Sequence, residues 1–368
     1  MTRPYNFAPG PAMLPESVLK QIQSEMLDFH GCGWSILEAS HRGPQVTGVM
    51  TELKSRLRQL LSIPDTYDVL FCPGGGRMQF AMLPMNLLGA GTLSTYIITG
   101  AWSKAAAKEA LRFGRVQSAF SGSGNRIPAD EELEVIPETS YCAYCDNETI
   151  HGIEFERVPV LKDAEAVPLV ADMTSNFLTR PVDVNKFGLF YASAQKNLGI
   201  AGLAVIVLRR DLLGLAGTEV PTLLNYSVYS RTDSVPNTPP VFQLYVANLM
   251  AQWIEAHGGV AVMDEYARAR AKIVYDAIDA MPEMYVSHVE RESRSRVNAV
   301  FRLKDEALTA LFVKEAAEAG LANLAGHRAV GGIRASMYNA MPIEGVQKLA
   351  DFMKTFAHRH GRTQSAVN

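Results

Sequence analysis

The sequence predicts an α/β protein: a mainly parallel sheet with helices on both faces, followed by a smaller C-terminal α+β unit. Amphipathic helical stretches alternate with short apolar runs along most of the chain, the order that builds parallel sheets through crossover helices. The apolar runs are rich in β-branched and aromatic residues. They lack the every-second-residue alternation of a strand with one wet face, so they read as strands buried on both sides. With 368 residues, 48% of them hydrophobic and 20% charged, the chain has material for a large core and two domains.

Pro15 opens a helix whose apolar stripe is Val18, Leu19, Ile22, Met26 and Leu27. A second helix carries Val46, Val49, Met50, Leu53, Leu57, Leu60 and Leu61, with Pro64 just past its end. Strands are expected over residues 69–72, 95–99, 141–144, 169–171, 189–192 and 204–208. Residues 226–240 are polar and rich in proline, which suits a functional loop or an interface arm. A long helix over 242–256 ends near Gly258-Gly259. Beyond it the rhythm is helix, strand (299–303), helix (306–319, stopped by Gly320), strand (333–337) and helix (343–356). The expected division is an arm over 1–15, a large domain over 16–260, a small domain over 261–360 and a disordered tail over 361–368. His358-Arg359, just before that tail, is expected to be solvated.

A net charge of −3 gives no electrostatic reason to expect nucleic acid or an anionic membrane as partner. The opening residues have no apolar core, so no signal peptide is expected. The aliphatic stretch 203–208 is far too short to span a bilayer. A soluble, cytoplasmic protein is the expectation. The four cysteines form no disulfide framework. Cys142 and Cys145 have the spacing of half a zinc site, but no second pair of ligands follows, so no metal is expected. On a strand, a separation of three places the two sulfurs on opposite faces.

Candidate chemistry gathers after the strands. Lys196, in Ser193-Ala194-Gln195-Lys196-Asn197, trails Asp172 by twenty-four residues. A lysine past an apolar run, with an acid one β-unit earlier, suits pyridoxal phosphate (PLP). The amine condenses with the cofactor aldehyde, and the carboxylate pairs with the protonated pyridine nitrogen. Taken alone, the spacing also suits a solvated loop lysine. Gly74-Gly75-Gly76 lies between a strand and a helix starting near Arg77, where backbone amides can cradle a phosphate; a tight turn is the simpler alternative. No Gly-x-Gly-x-x-Gly is completed, so a dinucleotide is not indicated. Trp102 opens a helix after a strand, placed either to stack on a flat heterocycle or to fill a core. His41-Arg42, Arg77, His327-Arg328 and Arg334 are cationic or potentially cationic groups close to glycines, suited to carboxylate or phosphate.

With these positions assembled, the chain resembles the phosphoserine aminotransferases, class-V PLP enzymes of fold type I. The resemblance runs from Asn6-Phe7 and Gly10-Pro11-Ala12-Met13-Leu14-Pro15 through Gly74-Gly75-Gly76-Arg77, Asn147-Glu148-Thr149-Ile150 and Ala194-Gln195-Lys196-Asn197. It continues to residues 331–342, which open Gly331-Gly332-Ile333-Arg334. It implies a seven-stranded sheet in the large domain and one PLP per subunit, bound as a Schiff base to Lys196, which also moves the substrate Cα proton. It implies Asp172 at the pyridinium nitrogen, Trp102 stacked on the ring and Thr149 near the ring hydroxyl. Gly76, Arg77 and Gln195 then form a phosphate cup, completed by Asn237 and Thr238 of a neighbouring subunit in a homodimer. Arg334 resembles the family's α-carboxylate clamp, and His41, Arg42, Arg77, His327 and Arg328 its substrate-phosphate pocket.

The activity so implied moves an amino group between L-glutamate and 3-phosphohydroxypyruvate in serine biosynthesis. It often extends to 3-hydroxy-2-oxo-4-phosphooxybutanoate in pyridoxine biosynthesis. Met78 and Met173-Thr174 depart from the family pattern beside the phosphate cup and the cofactor. A cysteine desulfurase is disfavoured because no cysteine follows Cys145. An alanine–glyoxylate type of aminotransferase would have little use for the His-Arg cluster. A nucleotide-binding module without chemistry stays open at this point.

Overall fold

The computed structural model describes residues 3–89 and 91–361. The chain opens with β1 (Tyr5–Asn6), α1 (Glu16–Glu25) and α2 (Pro44–Leu61), then β2 (Tyr67–Gly74), α3 (Gly76–Leu87), β3 (Leu93–Ile98), α4 (Ala101–Ala110) and β4 (Arg115–Ser121). The strands β5 (Cys142–Cys145), β6 (Asn147–Glu148), β7 (Ile153–Glu154), β8 (Leu169–Asp172), β9 (Leu189–Ser193) and β10 (Gly202–Arg209) follow. The helices α5 (Tyr226–Arg231), α6 (Val241–Ala256) and α7 (Gly259–Asp279) come next. The chain closes with β11 (Tyr285–Val286), β12 (Asn298–Leu303), α8 (Thr309–Glu318), β13 (Leu321–Ala322), β14 (Ile333–Ser336) and α9 (Ile343–His360).

Seven strands form the central sheet in the order β2-β10-β9-β8-β5-β3-β4. All run parallel except β10, which is antiparallel to both β2 and β9. The reason is chain length: only residues 194–201 join β9 to β10, too few for the crossover a parallel pair needs. β5, β8 and β9 are buried at every residue, which explains their unbroken apolar runs. One face of the sheet packs with α1, α2 and α6 around Leu53, Phe71, Val205 and Leu244. The other packs with α3, α4 and α5 around Leu83, Ala107, Ile206 and Tyr226. A separate core gathers α7, α8 and α9 on β11-β12-β14 around Val274, Phe301 and Phe312. The chain passes between cores within α7, whose Val260 and Met263 belong to the first and whose Ala271 and Val274 belong to the second. β1 pairs with β13, and Phe7 packs into the second core.

Several expectations need correction. The edge strand β4 has no apolar run, because only Ala119 of its seven residues is buried. α1 stops at Glu25, before Met26 and Leu27, and Leu27 stands 86% exposed. The first six residues of the polar segment 226–240 are helical: α5 docks through buried Tyr226 and Tyr229. The small-domain helix over 306–319 is a 3-10 turn (Glu306–Leu308) followed by α8. His358-Arg359 is exposed, as expected, but it lies in the last turn of α9 rather than in a tail, with Arg359 and His360 bonded to Glu315. The rest of the expected tail, 362–368, lies outside the described residues.

A buried ionic chain joins the central sheet to the second core. Arg180 donates to both oxygens of Asp146, at 3.0 and 2.8 Å. Asn176 bridges Asp146 and Glu154. Arg296, just before β12, donates to Glu154 at 2.7 Å and pairs with Asp264 of α7. Burial alone would raise the pKa of Glu154; Arg296 and Arg180 bring it below the ordinary 4.5. The pair therefore stabilises the fold fully above that ordinary value and loses its effect as pH falls through the lowered one. Arg296→Met leaves a buried carboxylate without its partner and is expected to cost about 3–5 kcal/mol at pH 7.5. Urea unfolding at pH 7.5 and below pH 4 checks this, and the deficit should shrink at the lower pH.

Candidate active site

Parallel strands that start and stop together expose the chain turns beyond their C-terminal ends along one edge, and ligands of open α/β sheets bind there. Here β2 ends at Gly74, β3 at Ile98, β5 at Cys145, β8 at Asp172 and β9 at Ser193. The turns beyond them enclose a cavity of about 280 Å³. Gly76, Arg77, Trp102, Thr149, Asp172, Gln195 and Lys196 all line it. Seven positions singled out from scattered segments thus meet in one place.

Lys196 is 8% exposed. Its Nζ donates to Thr149 Oγ1 at 2.6 Å and lies 6.0 Å from the centroid of the Tyr338 ring. The aliphatic stem rests on the arm: a Cβ on Gly10, whose φ is +136°, would meet Lys196 Cγ and Cε at 3.4 Å. The amide of Ala12 donates to the Gln195 carbonyl at 2.8 Å. Asp172 closes β8, opposite Cys145 on one side and Tyr191 on the other. Its Oδ1 accepts from the Thr174 amide at 2.9 Å. Burial raises its pKa, against the lowering pull of Thr174, the Lys196 charge and Tyr191.

At the other end of the cavity α3 begins at Gly76 with no side chain capping it. A Cβ on Gly75 would stand 2.9 Å from Ser193 Oγ, and one on Gly76 3.2 Å from Thr174 Oγ1. Bare backbone therefore faces the cavity at a helix N-terminus, as an anion requires. Met78 folds back on Gly74, where a Cβ would meet its Sδ at 2.7 Å. Thr174 Oγ1 accepts from the Ser193 amide at 3.2 Å. Met78 and Thr174 thus line the cavity without occupying its charged positions, and Met173 is buried in the first core. Trp102 forms a wall, with the Arg77 guanidinium 5.3 Å from its ring centroid. Its buried Nε1 has no hydrogen-bond partner. A free amine, a buried acid, an indole face and an uncapped helix end suit the aldehyde, ring nitrogen, ring face and phosphate of PLP.

The other predicted residues lie outside the cavity lining. Arg334, in β14 opposite Val300, is 6% exposed and its Nε has no partner. Burial lowers its pKa. His327 is half-buried; desolvation lowers its pKa, with Arg334 and Arg328 adding to the effect. His41 is half-buried, and Arg42, Arg328, Asn237 and Thr238 are exposed. Cys145 lines the cavity while Cys142 packs in the first core, so the two sulfurs do lie on opposite faces of β5.

The chain matches the model of the class-V aminotransferases over residues 4–349. It belongs to that family. Among curated relatives, the phosphoserine aminotransferase of Chromobacterium violaceum is 46% identical over 364 residues, covering 98% of this chain and 100% of the relative. That of Nitrosomonas europaea is 47% identical over 370 residues, with the same coverage. Among solved structures, the phosphoserine aminotransferase of Bacillus circulans subsp. alkalophilus superposes with a TM-score of 0.95 at 42% identity, covering 98% of this chain and 99% of that one. The PLP-bound phosphoserine aminotransferase of Trichomonas vaginalis gives 0.91 at 39%, covering 96% and 100%. The protein is an aminotransferase of a PLP-dependent family with the fold-type I architecture, which removes the non-catalytic nucleotide module as a reading.

Sequence reasoning missed the polar residues that shape the cavity from behind. Asn147 Nδ2 donates to Ser175 Oγ and to Asn298 Oδ1, both at 2.7 Å. Asn298 donates to Ser336 at 3.0 Å and to the Tyr338 hydroxyl at 3.3 Å. The Tyr338 hydroxyl donates to the Pro9 carbonyl at 2.7 Å. The available signal was a cluster of small polar residues at strand ends, which turns and caps also produce.

The raised pKa of Asp172 has a stability consequence. From the ordinary 3.8 up to the folded value the unfolded state binds fewer protons, so this residue costs stability as pH rises through that window and by a constant amount above it. Asp172→Asn keeps an acceptor for the Thr174 amide and removes the charge. The cofactor-free variant should be more stable than its parent by on the order of 1 kcal/mol at pH 8 and indistinguishable near pH 3.5, as read from denaturant unfolding at both pH values.

Proposed function

We propose that the protein transfers the amino group of L-glutamate to 3-phosphohydroxypyruvate, yielding O-phospho-L-serine and 2-oxoglutarate, with PLP bound as a Schiff base to Lys196. The observation that carries this reading is the convergence of Lys196, Asp172, Thr149 and Trp102 on one cavity at the strand ends, in a chain 46–47% identical over 98% of its length to phosphoserine aminotransferases. When bound, PLP supplies the electron sink for the pair left at Cα as its proton departs.

The roles of the protein groups follow from their chemistry. Asp172, desolvated in the cavity lining, would hold the pyridine nitrogen of bound PLP in its protonated form. Thr149 Oγ1 holds the Lys196 amine in place at 2.6 Å, and Lys196 carries the proton between Cα and the cofactor carbon. Trp102 covers one ring face and excludes water. The amides of Gly76 and Arg77, with Gln195, take the cofactor phosphate, completed by Asn237 and Thr238 of a second subunit. Arg334 binds the substrate α-carboxylate. His41, Arg42, Arg77, His327 and Arg328 bind the substrate phosphate in one half-reaction and the glutamate side-chain carboxylate in the other, a ping-pong cycle. The same cations accept a phosphate one carbon further out, so 3-hydroxy-2-oxo-4-phosphooxybutanoate is included as a second substrate, giving 4-phosphohydroxy-L-threonine.

The reading also takes the protein as a cytoplasmic homodimer with sites at the interface. It divides the chain into an arm (1–15), a PLP-binding large domain (16–260) and a small domain (261–360). Exposed Leu27, Trp34 and Leu37 support a covered surface beside His41 and Arg42, and Asn237 and Thr238 stand exposed outside their own chain's cavity lining. Among the described residues no helix is long and apolar enough to cross a membrane.

The test is steady-state formation of O-phospho-L-serine from 3-phosphohydroxypyruvate and glutamate. Lys196→Ala should lose on the order of 10⁴-fold or more in kcat, and Arg328→Ala should raise KM for the phosphorylated substrate more than it lowers kcat. Near-native turnover in Lys196→Ala, or no turnover by the parent with this substrate pair, would contradict the proposal.

A further inference from the structure

We propose that Glu148 is a positioning residue for the reaction: its buried carboxylate caps the N-terminus of α4 and so fixes the Trp102 indole against the cavity. The inference rests on the reading of Trp102 as the wall on which the cofactor ring stacks. Glu148 belongs to the short strand β6 and is 1% exposed. Its Oε2 accepts from the Trp102 amide at 2.9 Å. Its Oε1 accepts from the Ser103 amide at 2.8 Å and from the Ser103 hydroxyl at 2.7 Å. Ser103 Oγ in turn accepts from the amides of Thr99 and Gly100, at 3.0 and 3.1 Å.

The first turn of α4 carries no acidic residue of its own. The anion that the helix N-terminus favours arrives instead from a strand 46 positions away in sequence. A local serine or aspartate would cap a helix equally well for stability. A carboxylate from β6 does something a local cap cannot, because it ties the helix start to the strand that leads to Thr149. Trp102 and Thr149 line the same cavity, so one side chain sets the spacing between two of its walls. Gly100 leaves room for this approach: a Cβ there would stand 2.7 Å from Glu148 Cδ and 2.7 Å from His151 Nδ1. Because the Arg77 guanidinium lies over the indole, displacing the first turn of α4 also displaces a cation of the phosphate-binding end.

The test uses a Trp34→Phe/Trp253→Phe background, which leaves Trp102 alone of the three tryptophans. Glu148→Gln removes the charge, and Gly100→Ala pushes the carboxylate aside without changing its charge. Both should red-shift Trp102 emission and increase its quenching by acrylamide in the cofactor-free protein, and both should weaken PLP binding about ten-fold. In a Trp102→Ala background, Glu148→Gln should add less than about two-fold to the loss, because the two residues act through one contact. Native emission and quenching in both variants, or a full ten-fold further loss without the indole, would overturn the role of Glu148. If Glu148→Gln does not fold by far-UV circular dichroism, Gly100→Ala decides the question. If Trp102→Ala leaves PLP affinity and the circular dichroism of bound PLP unchanged while the emission still responds to Glu148→Gln, the stacking reading falls instead, and with it the role in the reaction.

Discussion

The parallel pairing of β5, β8 and β9 places Cys145, Asp172 and Tyr191 side by side at one edge of the sheet, and the site depends on that register. Main-chain hydrogen bonds fix the level of each strand end to a fraction of a residue, and a slip of one position would turn Asp172 to the opposite face. The antiparallel β10 contributes as much. By returning at once beside β9 it confines Lys196 to the short connection 194–201, directly over the same edge. A crossover helix at that point would have carried the lysine away from the acid.

The walls of the cavity come from three parts of the chain, held by buried polar contacts rather than by apolar packing alone. Asn147 reaches Asn298 of β12, and Asn298 reaches Tyr338, which is tied to Pro9 in the N-terminal arm. Beside Lys196, Asn197 accepts from the amide of Asn339 at 3.0 Å. The carbonyls of Asn339 and Met341 accept from Arg270 of α7, at 3.1 and 2.6 Å. Burial lowers the pKa of that guanidinium to about 10. Buried polar groups of this kind are costly unless satisfied, and they fix geometry more closely than methyl groups do. The lysine is therefore held by the arm, the large sheet and the second core together.

The fold class was readable because its buried strands are continuous apolar runs; β5, β8, β9 and β10 all declare themselves this way. β4 did not, since an edge strand with a single buried residue has nothing to mark it. The helix at 226–231 was hidden because it is only six residues long and buries only Tyr226 and Tyr229, within a segment that is mostly polar and proline-rich. Lys196, Asp172, Trp102 and the Gly76-Arg77 turn, which line the cavity, were legible as candidates from residue type and spacing, and Thr149 and Gln195 from the family resemblance. The contacts of Glu148, Asn147 and Tyr338 were not legible, because their partners lie as much as 329 residues away and a lone buried polar residue has no sequence period. The antiparallel sense of β10 was available in principle: the interval between the runs 189–192 and 204–208 is too short for a parallel crossover.

The most direct measurement is a single-turnover visible spectrum of the purified, PLP-loaded protein mixed with O-phospho-L-serine, with L-alanine as the control. Phosphoserine should convert the absorption of lysine-bound PLP to that of the pyridoxamine form, and alanine at the same concentration should do so far more slowly. Conversion by alanine and not by phosphoserine would leave the PLP site standing and contradict the assignment of the cationic pocket to a substrate phosphate.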